Sequence, residues 1–116
     1  MATTLEAALH PTADGLTIEL VGDIDSGARE VLENVYADAS ARGTAVLLLD
    51  FSAVSYMNSS GIGLLVTLLV RANRNKQRLL AYGLTEHYRQ IFELTRLDEA
   101  IGIHASEADA LAASLT

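Results

Sequence analysis

Asn58, Ser59 and Ser60 set a carboxamide and two hydroxyls side by side, with Gly61 and Gly63 just after them. An apolar run at 45–49 leads into this stretch, and a second apolar run at 62–70 leads out of it. The pattern predicts a strand, a polar loop over 51–60 and a helix N-terminus, with Ser59 and Ser60 at the join. The first-turn amides of a helix have no internal partners, and with the helix dipole they favour an anion. A phosphate on one of these hydroxyls would sit in a favourable field and would change the surface charge by about −1.5 to −2. The blander reading is capping, which Asn58, Ser59 and Ser60 can all perform. On residue chemistry alone capping is the better reading of Ser59, and Ser60 reads as the cap or a supporting hydroxyl.

Other chemistries fit less well. Asp23, Asp25 and Asp50 could be imagined as a Mg²⁺ or acid–base cluster, but turn, cap and strand-end roles explain them more simply. His10, His87 and His104 lie far apart without zinc-ligand spacing. Ser59 has no persuasive His–Asp arrangement for a hydrolase triad. Gly61 and Gly63 come with no Walker lysine and no complete dinucleotide fingerprint. The sequence therefore predicts no catalytic residues, no metal and no cofactor, and an enzyme is the least favoured class.

The surrounding elements must place this join. Leu5, Ala7 and Leu9 alternate with Glu6, Ala8 and His10, and Leu16, Ile18 and Leu20 alternate with Thr17 and Glu19. That period predicts a hairpin of half-buried strands, turned through Asp14-Gly15. Gly22 breaks the second strand. Asp25 or Ser26 can cap a helix to about Ala41, which buries Val31, Leu32, Val35, Tyr36 and Ala39 on one face. Gly43 suits the left-handed position after it. The unbroken apolar strand over 45–51 reads as central and covered on both faces.

The following helix, about 60–73, is apolar nearly all round. Leu65, Leu69 and Ala72 are expected inward and Leu64, Thr67, Leu68 and Arg71 outward. An exposed apolar stripe there would mark a docking surface, and the alternative is a helix enclosed in a core or a homodimer. Arg71, Arg74, Lys76 and Arg78 fall at its end, where they complement its dipole. Leu79–Tyr82 reads as a strand, Thr85 caps a helix to about Thr95 expected to bury Tyr88, Ile91, Phe92 and Leu94, and 101–104 forms a last short strand. Ser106 to Asp109 is a capping-box pattern, followed by Leu111 and Leu115. Strands separated by helices imply parallel neighbours, so the fold class is α/β: one domain with a mixed four- to five-stranded sheet and about four helices. Loops at the carboxyl ends of its strands share one edge.

The composition bounds the rest. The chain has 116 residues, half of them hydrophobic, no cysteine and a formal net charge of −7. One domain of this size builds a core without disulfides. The acidic balance argues against nucleic-acid binding. The run at 62–70 is too short for a membrane span, which needs about 20 residues.

Residues 50–65, Asp-Phe-Ser-Ala-Val-Ser-Tyr-Met-Asn-Ser-Ser-Gly-Ile-Gly-Leu-Leu, resemble the phosphorylation loop of the STAS-domain family, in particular the bacterial anti-sigma-factor antagonists. Gly22-Asp23-Ile24-Asp25 is similar to the segment that ends an early strand there. The resemblance covers essentially the whole of 1–116. It implies a STAS domain whose first motif serine, Ser59, is phosphorylated by an anti-sigma factor that is a serine kinase. It also implies a serine phosphatase as second partner. The lack of cysteine fits a reducing cytoplasm, and the short apolar run at 62–70 argues against membrane insertion. The implied partner surface is Asp23, Ile24, Asp25, Asn58, Ser59, Ser60, Gly61, Ile62 and Leu64. The family's usual Asp before the serine is Asn58 here, which removes a charge and keeps a capping side chain. Homodimerisation stays open. Alternatives are a STAS-like adaptor in another complex, such as a lipid transporter, with Ser59 unmodified, and a small-molecule or nucleotide sensor.

Overall fold

Alternating apolar residues in the first strands, and an unbroken apolar run in the third, produce one twisted sheet between two layers of helices. The structure is a computed structural model and describes residues 4–12 and 15–114. The elements are β1 (Glu6–Pro11), β2 (Leu16–Ile24), α1 (Arg29–Ala41), β3 (Val46–Met57), α2 (Ser59–Arg74), β4 (Arg78–Tyr82), α3 (Glu86–Leu94), β5 (Gly102–His104) and α4 (Glu107–Ser114). Short 3-10 turns precede α1 at Ser26–Ala28 and β5 at Leu97–Glu99.

The sheet order is β1-β2-β3-β4-β5, with β1 antiparallel to β2 and every later pair parallel. This is the expected mixed α/β architecture, with five strands and four helices among the described residues. Successive β3 residues feed two cores. Leu47, Leu49 and Phe51 join Leu65, Tyr88 and Phe92 of α2 and α3, while Val46 and Leu48 join Leu80, Tyr82 and Ala110. Leu32, Val35, Tyr36 and Ala39 are buried along α1 and Val31 is half-buried, as their spacing predicts. Gly43 takes φ +69° just past α1. The Ser106 hydroxyl accepts from the Asp109 amide at 3.2 Å, so the capping pattern before α4 forms. Asp14 of the expected turn and Leu115 lie outside the described residues.

Four expectations change. Leu94, expected inward on α3, is the last residue of that helix and is 84% exposed, because the buried face is held by Tyr88 and Phe92. The loop over 51–60 is largely strand, because β3 continues to Met57. Its far half pairs with β2, which itself runs on to Ile24. Register shifts between Glu19 and Val21, and between Gly22 and Asp23, carry the pairing past the polar residues. Val54 and Met57 are buried there. Ala45, expected in the strand, is exposed and precedes it. Finally, Leu68 is not on the outer face of α2. It is 5% exposed and faces α1, as does the half-buried Leu64; both line a groove with Arg29, Leu32, Tyr36 and Arg71. No described helix is long and apolar enough to cross a membrane.

Candidate functional site

The join between β3 and α2 is shorter than its sequence suggests: Asn58 alone separates the two elements. Asn58 has extended backbone angles and its Oδ1 accepts the Gly61 amide at 2.9 Å. The cap of α2 is therefore Asn58, not Ser60. A side-chain amide at this position is a strong cap because its oxygen replaces the missing carbonyl of the preceding turn.

Ser59 is consequently the first residue of α2 rather than its cap. Ser59 and Ser60 are both exposed, and neither hydroxyl has a hydrogen-bond partner among the described residues. The first turn carries no acidic residue. Its outward amides and two free hydroxyls form a small, locally positive platform in an acidic chain.

Three contacts hold this platform in place. The Asn58 amide donates to the Ile24 carbonyl at 3.3 Å, which locks the end of β3 beside the end of β2. Gly61 packs against the same carbonyl, and a Cβ there would stand 1.8 Å from the Ile24 oxygen. Only a residue without a side chain lets α2 start so close to β2. The Met57 amide donates to the Tyr88 hydroxyl at 2.9 Å, which ties the strand end to α3. Sequence reasoning placed Tyr88 in the core and missed this role; nothing in its spacing marks the hydroxyl.

Around the platform, the expected surface residues divide by burial. Asp25 is half-buried and its carboxylate accepts the Gly27 amide at 2.9 Å, capping the turn before α1. Asp23 is buried and accepts from the Ser55 hydroxyl at 3.0 Å. Ile24 is fully buried, so it meets the site through its carbonyl, and Gly61 is buried beneath the helix start. Asn58, Ile62 and Leu64 are half-buried. The residues meet at one edge of the domain, with Ser59 and Ser60 foremost.

The remaining polar groups sit elsewhere. Asp50 accepts from the Ser52 amide at 2.9 Å and from the Ser52 hydroxyl at 2.5 Å. It also faces Tyr82, whose phenol is pushed well above its ordinary value by burial, then by the Asp50 and Glu107 carboxylates. His10 pairs with Glu19 at 3.4 Å, and the His87 ring lies edge-on to Tyr88. Among the described residues no group of three or more His, Asp or Glu is placed to hold a metal.

Beyond its first turn, α2 presents a further exposed stripe that the sequence reading did not single out. Gly63, Val66 and Val70 point to solvent, with Val66 38% and Val70 44% exposed. The signal in the sequence was Gly63, a helix-weakening residue with no apparent turn to make.

Comparison with known proteins bears on this geometry. Residues 7–104 match the family described as "Mlab, STAS domain". The anti-sigma-B factor antagonist of Staphylococcus epidermidis is 28% identical over 104 residues, which are 90% of this chain and 94% of that protein. Among solved structures, an anti-sigma factor antagonist from Mycobacterium paratuberculosis superposes with a TM-score of 0.83 at 20% identity, covering 97% of this chain and 95% of that one. The Bacillus cell fate determinant SpoIIAA in its phosphorylated form superposes with a TM-score of 0.68 at 23% identity, covering 90% and 96%. At these identities the structural likeness is one of fold.

Proposed function

The chain belongs to the STAS domain family, and on that footing we propose that it is an anti-sigma-factor antagonist switched by phosphorylation of Ser59. The unmodified protein docks its Ser59 edge onto an anti-sigma factor and so releases a sigma factor for transcription. That anti-sigma factor is a serine kinase, which supplies ATP and phosphorylates Ser59. A serine phosphatase resets the switch. All these partners meet in the cytoplasm.

The observation that carries this reading is that Asn58 caps α2, so the Ser59 hydroxyl is exposed and unused. The structural explanation for a serine at this point has been taken by its neighbour. The relatives named as antagonists support the partner class. A phosphate on Ser59 rests at the helix N-terminus without refolding the domain. It puts a dianion within the contact surface, where like charge and desolvation oppose docking. A loss of about 2.8 kcal/mol would lower affinity about a hundredfold.

Incubation with the cognate kinase and ATP, followed by mass spectrometry, tests the site. Phosphate is expected on Ser59 and absent from Ser59→Ala. Undiminished labelling of that variant would reject the assignment.

A second reading is a STAS adaptor in another complex, with Ser59 unmodified. Asn58 in place of an acidic residue favours it. Purification of native complexes separates the two readings: a kinase partner supports the first and a transporter ATPase the second.

A further inference from the structure

Ser59, Gly63, Val66, Val70 and Arg74 follow one another along α2 at spacings of four, three, four and four residues. That spacing puts them on one stripe of the helix, and all five are exposed. Two features of the stripe stand out: Gly63 has no structural reason within the single chain, and Arg74, which complements the dipole from the last turn of α2, has no ion-pair partner among the described residues. Gly63 costs helix stability, yet nothing lies within 4 Å of where its Cβ would be. Arg74 has no carboxylate within 4.0 Å among the described residues, although the chain is strongly acidic. Arg71, by contrast, turns away and stacks on Tyr36 at 4.7 Å.

The stripe is complementary to itself. Ser59 and Arg74 are centred on a point between Val66 and Thr67, and so are Gly63 and Val70. If two copies of α2 pack antiparallel about that point, Val70 of each fills the gap over Gly63 of the other. The same two-fold axis sets Arg74 of each copy against Ser59 of the other. Isologous contacts of this kind close a dimer.

We infer that phosphorylation of Ser59 makes this stripe a homodimer interface, with Arg74 of the second copy receiving the phosphate. This rests on the proposal that Ser59 is the modified residue. Without phosphate the contact is unfavourable, because Arg74 would face the positive end of the opposing helix and two acidic domains repel. A dianion on Ser59 reverses the local sign and offers the guanidinium a paired, charge-assisted acceptor. One helix face is small beside the roughly 1,000 Å² of a stable interface, so the two phosphate contacts decide the outcome. Phosphorylation would then both repel the kinase and cover the α2 face that borders the docking edge.

The test needs no kinase. Phosphoserine is installed at position 59 during synthesis, and sedimentation velocity compares the phosphorylated and unmodified chains. The phosphorylated chain should dimerise at least about tenfold more tightly. Phosphorylated Arg74→Ala and phosphorylated Gly63→Leu should both return to monomers. Position 63 opens to solvent, so Gly63→Leu should retain the fold, as circular dichroism would verify. A phosphorylated chain no tighter than the unmodified one overturns the inference. So does a dimer that survives either substitution. Failure here leaves kinase docking untouched, since no kinase is present.

Discussion

The Met57 amide donates a 2.9 Å hydrogen bond to the Tyr88 hydroxyl, joining the last residue of β3 to the first turn of α3. The paired part of β4 ends at Tyr82, opposite Asp50, so the outer half of β3 has no strand beside it on that flank. Tyr88 stands in for that strand and steadies the residue before the Asn58 cap. Tyr88→Phe keeps the ring and orphans a buried amide, so it should lose about 1–3 kcal/mol in urea unfolding. Amide exchange at Met57 and Asn58 should quicken. An unchanged unfolding midpoint would show that the bond contributes nothing.

The two glycines of α2 should respond oppositely to the same substitution. A Cβ on Gly61 would collide with backbone at Ile24, which cannot rotate away. Gly61→Ala should destabilise the domain by about 3 kcal/mol or more. Gly63→Ala meets open space and should stabilise it by about 1 kcal/mol. Thermal unfolding of the pair measures both signs, and equal shifts would contradict the assignment of Gly61 to the β2 contact.

Asn58→Ala removes the acceptor for the Gly61 amide and should cost about 1 kcal/mol in the same measurement. Asn58→Asp retains the cap and should remain near wild-type stability. A neutral Asn58→Ala would return the capping role to a serine and weaken the case for a free Ser59.

The register of α2 predicts a sharp contrast between neighbours. Leu68 is buried against α1 and Leu68→Ala should lose about 2–5 kcal/mol. Thr67 is exposed and donates only to the Gly63 carbonyl of its own helix, so Thr67→Ala should change stability by about 0.5 kcal/mol or less. Chemical denaturation of both variants checks the contrast. Similar losses would contradict the orientation of the helix.

Tyr82 links stability to alkaline pH. Burial and the Asp50 and Glu107 carboxylates disfavour its phenolate in the folded state, so its native pKa is raised. Once pH exceeds the ordinary tyrosine value of about 10, the unfolded chain gains by ionising and the folded chain does not. Stability should therefore fall as pH climbs from that point. Tyr82→Phe should flatten this decline relative to wild type in denaturant midpoints taken across alkaline pH. Parallel curves would show that Tyr82 ionises equally in both states.

The sheet was legible in the sequence because its signals are periodic. Alternation at Leu16, Ile18 and Leu20 and the apolar run into Phe51 both report burial directly. The outer half of β3 was illegible because its residues look like a loop. Ser52 and Ser55 are turn-forming types, and only pairing with β2 across two register shifts makes that stretch a strand. The face of α2 was misread for a related reason. Where nearly every residue is apolar, period cannot say which Leu is inside, and contact with α1 decides for Leu68. The site itself was legible as a strand-to-helix join with capping chemistry. Which residue caps was not, because Asn58, Ser59 and Ser60 all cap well, and the approach of Gly61 to Ile24 sets where the helix begins.

Calorimetric titration of the anti-sigma factor with unmodified protein, and with protein bearing phosphate on Ser59, tests the switch most directly. The account predicts binding by the unmodified form and an affinity about a hundredfold lower after phosphorylation. Equal affinity of the two forms would contradict it.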